Sequence, residues 1–181
     1  KKDYPDIMAE LEREPFVDLL DAGCGPAPMI SLLSEKYPEQ HYTGLDLTPA
    51  MIEQAQKKNI PNATFVVGDC ENFPFEDNSF DSIICSNSFH HYPNPQAFFD
   101  SVQRCLRPGG RLILRDASSN NRLLLWFMDN IEVPLANLCG HGDVKIARRS
   151  VIEECCQKAG LKVESCEIRK GMRMHCVVRK V

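Results

Sequence analysis

The apolar run from Phe16 to Asp21 ends on a carboxylate and meets a turn that contains Gly23 and Gly25. Beyond that turn Met29, Leu33 and Tyr37 mark one face of a helix that Pro38 stops. No other feature narrows the fold as much, because a strand that feeds a helix through such a turn is half of a parallel strand–helix–strand unit. The pattern then recurs. His41 to Asp46 reads as a second strand, followed by Thr48 as helix cap and Pro49 in the first turn, where its missing N–H costs nothing. Thr64 to Gly68 and Phe80 to Ser86 are the third and fourth strands. Asn94 and Pro95 open a helix with Phe98 and Val102 inward, ending at Pro108-Gly109-Gly110, and Arg111 to Asp116 is the fifth strand. Ser150 and Glu153 have the spacing of a capping box for a helix that ends near Gly160. Val163 to Ile168 and Met172 to Val178 are separated by only three residues, which permits an antiparallel hairpin and nothing else. Residues 69–79 join strands three and four without a helix; eleven extended residues reach ~36 Å, enough to cross the face of the sheet.

A chain of 181 residues, 43% of them hydrophobic, suits one α/β domain. The longest apolar run, Leu123 to Met128, is far short of the ~18 to 20 residues of a membrane helix, so no membrane partner is expected. No charged-then-apolar leader opens the chain. Nine cysteines without a CxxC pair predict reduced thiols in a cytoplasmic protein. Cys139, His141, His175 and Cys176 match no standard zinc spacing, and no metal site is expected. Charge is unevenly shared: residues 1–143 hold 11 basic and 21 acidic side chains, residues 144–181 hold 10 and 4. The basic residues of the second part alternate with apolar ones at strand spacing, which predicts a solvated edge strand rather than a nucleic-acid surface.

The chemistry concentrates at strand ends. Gly23 and Gly25 let backbone approach a ligand closely at a helix amino end. Asp46, 21 residues past Gly25, ends the second strand, where a carboxylate can accept from both hydroxyls of an adenosine ribose. Both a nicotinamide dinucleotide and S-adenosylmethionine satisfy that geometry. Pro28 stands where the dinucleotide pattern GxGxxG has its last glycine and Ala27 where a tighter pattern has it, and no Tyr-x-x-x-Lys pair is present, so the dinucleotide is the weaker choice. His90 and His91 follow strand four directly. Imidazole titrates in the right range for a general base, with His91 preferred over His90.

Five blocks in order, VDLLDAGCGPAP, GLDLTPAMIEQA, GDCENFPFEDNSFD, ICSNSFHHYPNP and LRPGGRLIL, resemble the class I S-adenosylmethionine-dependent methyltransferases, in the broad group of quinone-biosynthesis C-methyltransferases. The resemblance implies a doubly wound seven-stranded sheet, order 3-2-1-4-5-7-6, with the last strand antiparallel. It implies that Asp21, Gly23, Cys24 and Gly25 surround the methionine moiety. Asp46 would hold the ribose, Leu47 and Met51 pack on the adenine, Asp69 and Cys70 meet the adenine edge, and Asn87 lie near the methionyl amino end. The implied activity is methyl transfer to a small, apolar or aromatic acceptor, leaving S-adenosylhomocysteine. A non-catalytic module binding the same ligands is the rival. Residues 117–149 read equally as a lid over the acceptor and as a core helix. With only 15 residues before the first strand, this segment is expected to supply the cover alone.

Overall fold

The computed structural model describes residues 4–138 and 146–181. Its seven strands are β1 (Asp18–Ala22), β2 (His41–Asp46), β3 (Ala63–Val67), β4 (Phe80–Ser86), β5 (Leu106–Ala117), β6 (Leu161–Arg169) and β7 (Arg173–Lys180). They form one sheet in the order 3-2-1-4-5-7-6, as expected. β1 to β5 are mutually parallel, while β7 lies antiparallel between β5 and β6.

Successive side chains of a strand point to opposite faces, so the central strands bury both alternations. Leu19, Ile84 and Ile113 pack under α1 (Tyr4–Leu11), α2 (Pro28–Lys36) and α3 (Pro49–Gln56). Leu20, Ile83, Leu112 and Leu114 pack under α4 (Pro95–Cys105) and α7 (Arg149–Ala159). Phe73 and Phe75 from the helix-free link join that second face and take the place of a covering helix. Residues 122–138 form α5 (Arg122–Phe127), a π-turn (Met128–Glu132) and α6 (Val133–Leu138). The π-turn precedes Pro134, which has no N–H for the helical ladder. Among the described residues no helix is long and apolar enough to cross a membrane.

Several expectations are corrected. One element had no expectation attached: a helix, α1, precedes the first strand. Its periodicity is hidden because Asp6 and Glu10 share the docked side with Ile7 and Leu11. β5 starts at Leu106 instead of Arg111: Phe80 pairs with Leu106, and a register shift before Ser82 absorbs the Pro-Gly-Gly turn as an irregularity within the strand. Arg148 occupies the N-cap position of α7 without a side-chain bond, the Ser150–Glu153 box does not form, and Glu153 instead takes the Arg149 guanidinium at 2.7 Å. Asn94 does cap α4 through Ala97 N–H, whereas Thr48 occupies its cap position without a side-chain bond.

The basic C-terminal part is only in part a solvated edge: β6 is the edge strand and exposes Lys162. β7 is an interior strand, and Arg179 meets Glu14 at 2.8 Å while buried His175 lies 3.9 Å from Glu10. Arg115 of β5 and Arg169 of β6 converge on Asp6. The acidic first part and basic last part of the chain thus pair beneath α1. The thiols are not all reduced: Cys166 and Cys176, opposite one another on β6 and β7, are joined by a disulfide. Six other cysteines are free and buried. Cys139 and His141 lie outside the described residues, and His175 and Cys176, adjacent on a strand, point to opposite faces.

Candidate functional site

The carboxyl ends of β1 to β4 open into a cleft of about 410 Å³. Its first wall is the glycine-rich turn. Gly23 and Cys24 donate their N–H groups to Leu45 O at 2.8 and 3.0 Å, which pins the turn to β2. Gly25 N–H donates to Asp46 Oδ2 at 2.8 Å, and Thr48 N–H donates to Asp46 Oδ1 at 2.9 Å. Asp46 therefore ties the turn to the start of α3, and each of its oxygens keeps a lone pair for a ligand. Gly23 has φ +77°, and a Cβ there would meet Ser88 Oγ at 1.8 Å. Gly25 has φ +53° and nothing within 4 Å of the same position, so a side chain would project into open space beside the cleft.

Most of the residues expected from the sequence converge here. Gly23, Gly25, Asp46, Leu47 and Met51 line the cleft, as do Asp69, Cys70, Asn87 and His91. Leu47 is 68% exposed, an apolar rim. Asp69 Oδ1 accepts from Glu71 N–H at 2.8 Å, the turn-forming role open to any aspartate, in addition to facing the cleft. Asn87 adopts φ 54°, sends its N–H to Arg115 O at 2.9 Å and accepts from the Arg173 guanidinium. Asp21 and Cys24 lie one step away, in an adjoining 220 Å³ pocket that Tyr4 of α1 also reaches. His90 is not a cleft residue. It turns toward Asp116 at the end of β5.

Three cleft residues escaped the sequence reading: Thr48, Ser88 and Tyr92. Tyr92 Oη sits 2.8 Å from Ser88 Oγ and 3.8 Å from Cys85 Sγ, and donates to Ala22 O at 3.4 Å. The motif FHHYP drew attention to its histidines, although the tyrosine that closes the short turn Phe89–His91 after β4 is an equal candidate for a floor. Burial pushes the nearby thiols up, Cys70 to about 12, and they remain uncharged packing beneath the cleft.

The electrostatics favour a cation. Asp21 is 3% exposed, and burial, then the charge of Asp46, pushes its carboxyl up to about 7. Two carboxylates thus flank a glycine turn with no positive side chain among the cleft residues. Among the described residues no group of three or more His, Cys, Asp or Glu is placed to hold a metal ion.

Comparison with known proteins agrees with this geometry. The family described as "Methyltransferase domain" matches residues 20–114. The phthiotriol/phenolphthiotriol dimycocerosates methyltransferase 1 of Mycobacterium ulcerans is 40% identical over 121 residues, 66% of this chain and 45% of that protein. The fatty-acid O-methyltransferase of Mycolicibacterium smegmatis is 35% identical over 121 residues, 66% of this chain and 44% of that protein. The chain therefore spans less than half the length of these curated relatives. An S-adenosylmethionine-dependent methyltransferase structure from Mesorhizobium loti superposes with a TM-score of 0.79 at 18% identity, covering 99% of this chain and 98% of that one, and it shares the fold. With its family match covering more than half its length, from β1 to β5, the chain belongs to the methyltransferase domain family.

Proposed function

We propose that the cleft binds S-adenosylmethionine and that the chain transfers its methyl group to a small-molecule acceptor with a substantial apolar part. The observation that carries this reading is the pair of carboxylates, Asp21 and Asp46, around a turn whose Gly25 leaves room for a ligand. A sulfonium and an ammonium group suit those two carboxylates. Asp46 would hold the ribose, Leu47 and Met51 the adenine face, Asp69 and Cys70 its edge, and Asp21, Gly23, Cys24 and Asn87 the methionyl end. When bound, the ligand supplies a methyl group already activated by its positive sulfur. The protein's share is to align an acceptor atom with that methyl at about 3 to 3.5 Å and to keep water out.

The names of the relatives include fatty acids and dimycocerosates, and we extend to this chain an acceptor of the lipid class. Residues 122–138 support that extension. Met128 and Val133 are buried, while Leu123, Phe127, Ile131, Leu135 and Leu138 recur every three or four positions as an exposed stripe with Trp126 beside it. The segment leaves the carboxyl end of β5, the same end of the sheet as the cleft. We assign it to the acceptor side.

Calorimetry with S-adenosylmethionine and with NAD tests the ligand. Asp46→Ala is expected to weaken S-adenosylmethionine binding more than about tenfold, through loss of charge-assisted hydrogen bonds. Unchanged affinity in that variant, or binding of NAD alone, overturns the assignment. Transfer of a labelled methyl group to a panel of lipid acceptors tests the activity, and binding without turnover across the panel would leave a ligand-binding module.

A further inference from the structure

Ser88 and Tyr92 line the cleft where β1 and β4 end. The turn Phe89–His91 brings them together: Tyr92, which closes that turn, places its Oη 2.8 Å from Ser88 Oγ. The same Oη lies 3.4 Å from the carbonyl of Ala22, the last residue of β1. A carbonyl can only accept, so Tyr92 donates to Ala22 and the Ser88 hydroxyl donates to Tyr92. Burial raises the Tyr92 phenol well above its usual range, and it keeps the proton this link needs. Cys85 Sγ at 3.8 Å and the Cys70 thiol complete its surroundings. The ring is seated independently, edge-on to Phe89 at 5.9 Å and tilted against Phe98 at 5.1 Å.

Gly23 rests on this pair. A Cβ on Gly23 would meet Ser88 Oγ at 1.8 Å and Tyr92 Oη at 3.1 Å, so only glycine lets the turn settle onto the two hydroxyls. Gly23 N–H donates to Leu45 O at 2.8 Å, which ties the same residue to β2. We propose that Tyr92 and Ser88 are positioning residues for the methionyl end of S-adenosylmethionine: their linked hydroxyls set the spacing between the Gly23 turn and the segment after β4, the two walls that meet that end of the ligand. This rests on the ligand reading above and deepens it. The pair acts through the backbone of Ala22 and Gly23. Asp46, assigned to the ribose, is fixed separately by Gly25 and Thr48 N–H at 2.8 and 2.9 Å. Loss of the hydroxyl link should therefore be felt by the methionyl half of the ligand and spare the adenosine half.

Calorimetry on Tyr92→Phe, Ser88→Ala and the double variant tests this with two probes. S-adenosylhomocysteine carries the methionyl end, whereas 5′-methylthioadenosine has the same nucleoside and sulfur without it. Each single variant should bind S-adenosylhomocysteine about tenfold more weakly, as for loss of one buried hydrogen-bonded link. Affinity for 5′-methylthioadenosine should stay within about twofold. The double variant should lose no more than either single one, because both remove the same link. Equal loss on the two probes would make the pair a structural part of the cleft and overturn the proposal; so would an unchanged affinity for S-adenosylhomocysteine, or losses that add. Tyr92→Phe keeps the ring and should unfold within about 4 °C of the unmodified chain; should it fail to fold, Ser88→Ala gives the same two-probe comparison. If the unmodified chain binds neither probe, the ligand reading falls and the proposal with it. If it binds both and the variants do not tell them apart, the proposal alone falls.

Discussion

At Gly23 an added Cβ would meet the Ser88 hydroxyl oxygen at 1.8 Å and Tyr92 Oη at 3.1 Å, and the backbone has φ +77°. Gly25 shares the positive φ but faces open space. Gly23→Ala is therefore expected to lower the unfolding midpoint and abolish ligand binding together, since a backbone shift must displace Ser88. Gly25→Ala should cost only about 1 kcal/mol of stability through its left-handed backbone, while weakening ligand binding at least as much as its methyl intrudes; denaturation curves and calorimetry on the pair separate the two. Asp21 adds a pH dependence. Its carboxyl, at about 7 when folded against 3.8 as a free group, binds a proton that the unfolded chain has released. Its cost to stability is absent below about pH 4 and complete above about pH 7. A cationic ligand reverses that cost, so S-adenosylmethionine should bind several-fold more tightly at about pH 8 than at about pH 6 and release protons as it does so. A flat affinity across that range would show that Asp21 does not face the cation. Asp21, Asp46 and the two glycines were legible because they lie within one strand–turn–helix and the strand beside it. Tyr92 was not, since its meaning comes from Ala22, 70 positions earlier, and only the pairing of β1 with β4 brings them together.

Helix α1 shows what happens to an element whose docked side is polar. Asp6, Glu10 and Glu14 stand at four-residue intervals and face Arg115, His175, Arg111 and Arg179 across the sheet. Arg179 holds the Glu14 carboxyl below its usual range, chiefly by hydrogen bonding, and burial followed by Arg169 and Arg115 pulls His175 down. Arg111, 2% exposed, donates through Nη2 to Leu11 O at 3.2 Å and Glu14 O at 2.7 Å, binding carbonyls at and beyond the negative end of the helix. Arg111→Ala is expected to cost about 2 kcal/mol and to expose the α1 segment to protease before the rest of the chain; retained stability and protection would assign the docking to Ile7 and Leu11 alone. An apolar-periodicity reading passes over such a helix because its charges point inward. The same rule explains why the strands were read to within a residue or two, apart from β5. There, Pro108-Gly109-Gly110 carries the usual signs of a stop, but Gly110 packs so closely on Asp81 O, 3.0 Å from a would-be Cβ, that the chain runs on as a strand.

Taken whole, the molecule keeps its working residues at one end of the sheet and has fastenings at both. At the amino end Asp81 Oδ2 accepts from Val17 and Asp18 N–H, both at 2.9 Å, and its other oxygen meets Arg107. At the carboxyl end the cleft collects the ends of β1 to β4, as the rule for open α/β sheets requires once strand order reverses beside β1. That arrangement followed from five short blocks in sequence order. The uneven charge was visible too, yet its purpose was not, because only the docking of the α1 segment beside β6 and β7 turns a difference between two parts of the chain into internal pairs. The stripe on residues 122–138 has one more consequence. Trp126, the sole tryptophan in the chain, sits beside it at 55% exposure. The chain consequently carries a single indole fluorophore, at the surface assigned to the acceptor, and none in its core. Addition of a lipid acceptor should move the emission to shorter wavelength, while S-adenosylhomocysteine alone should leave it in place. A spectrum indifferent to every acceptor that is turned over would locate that molecule elsewhere.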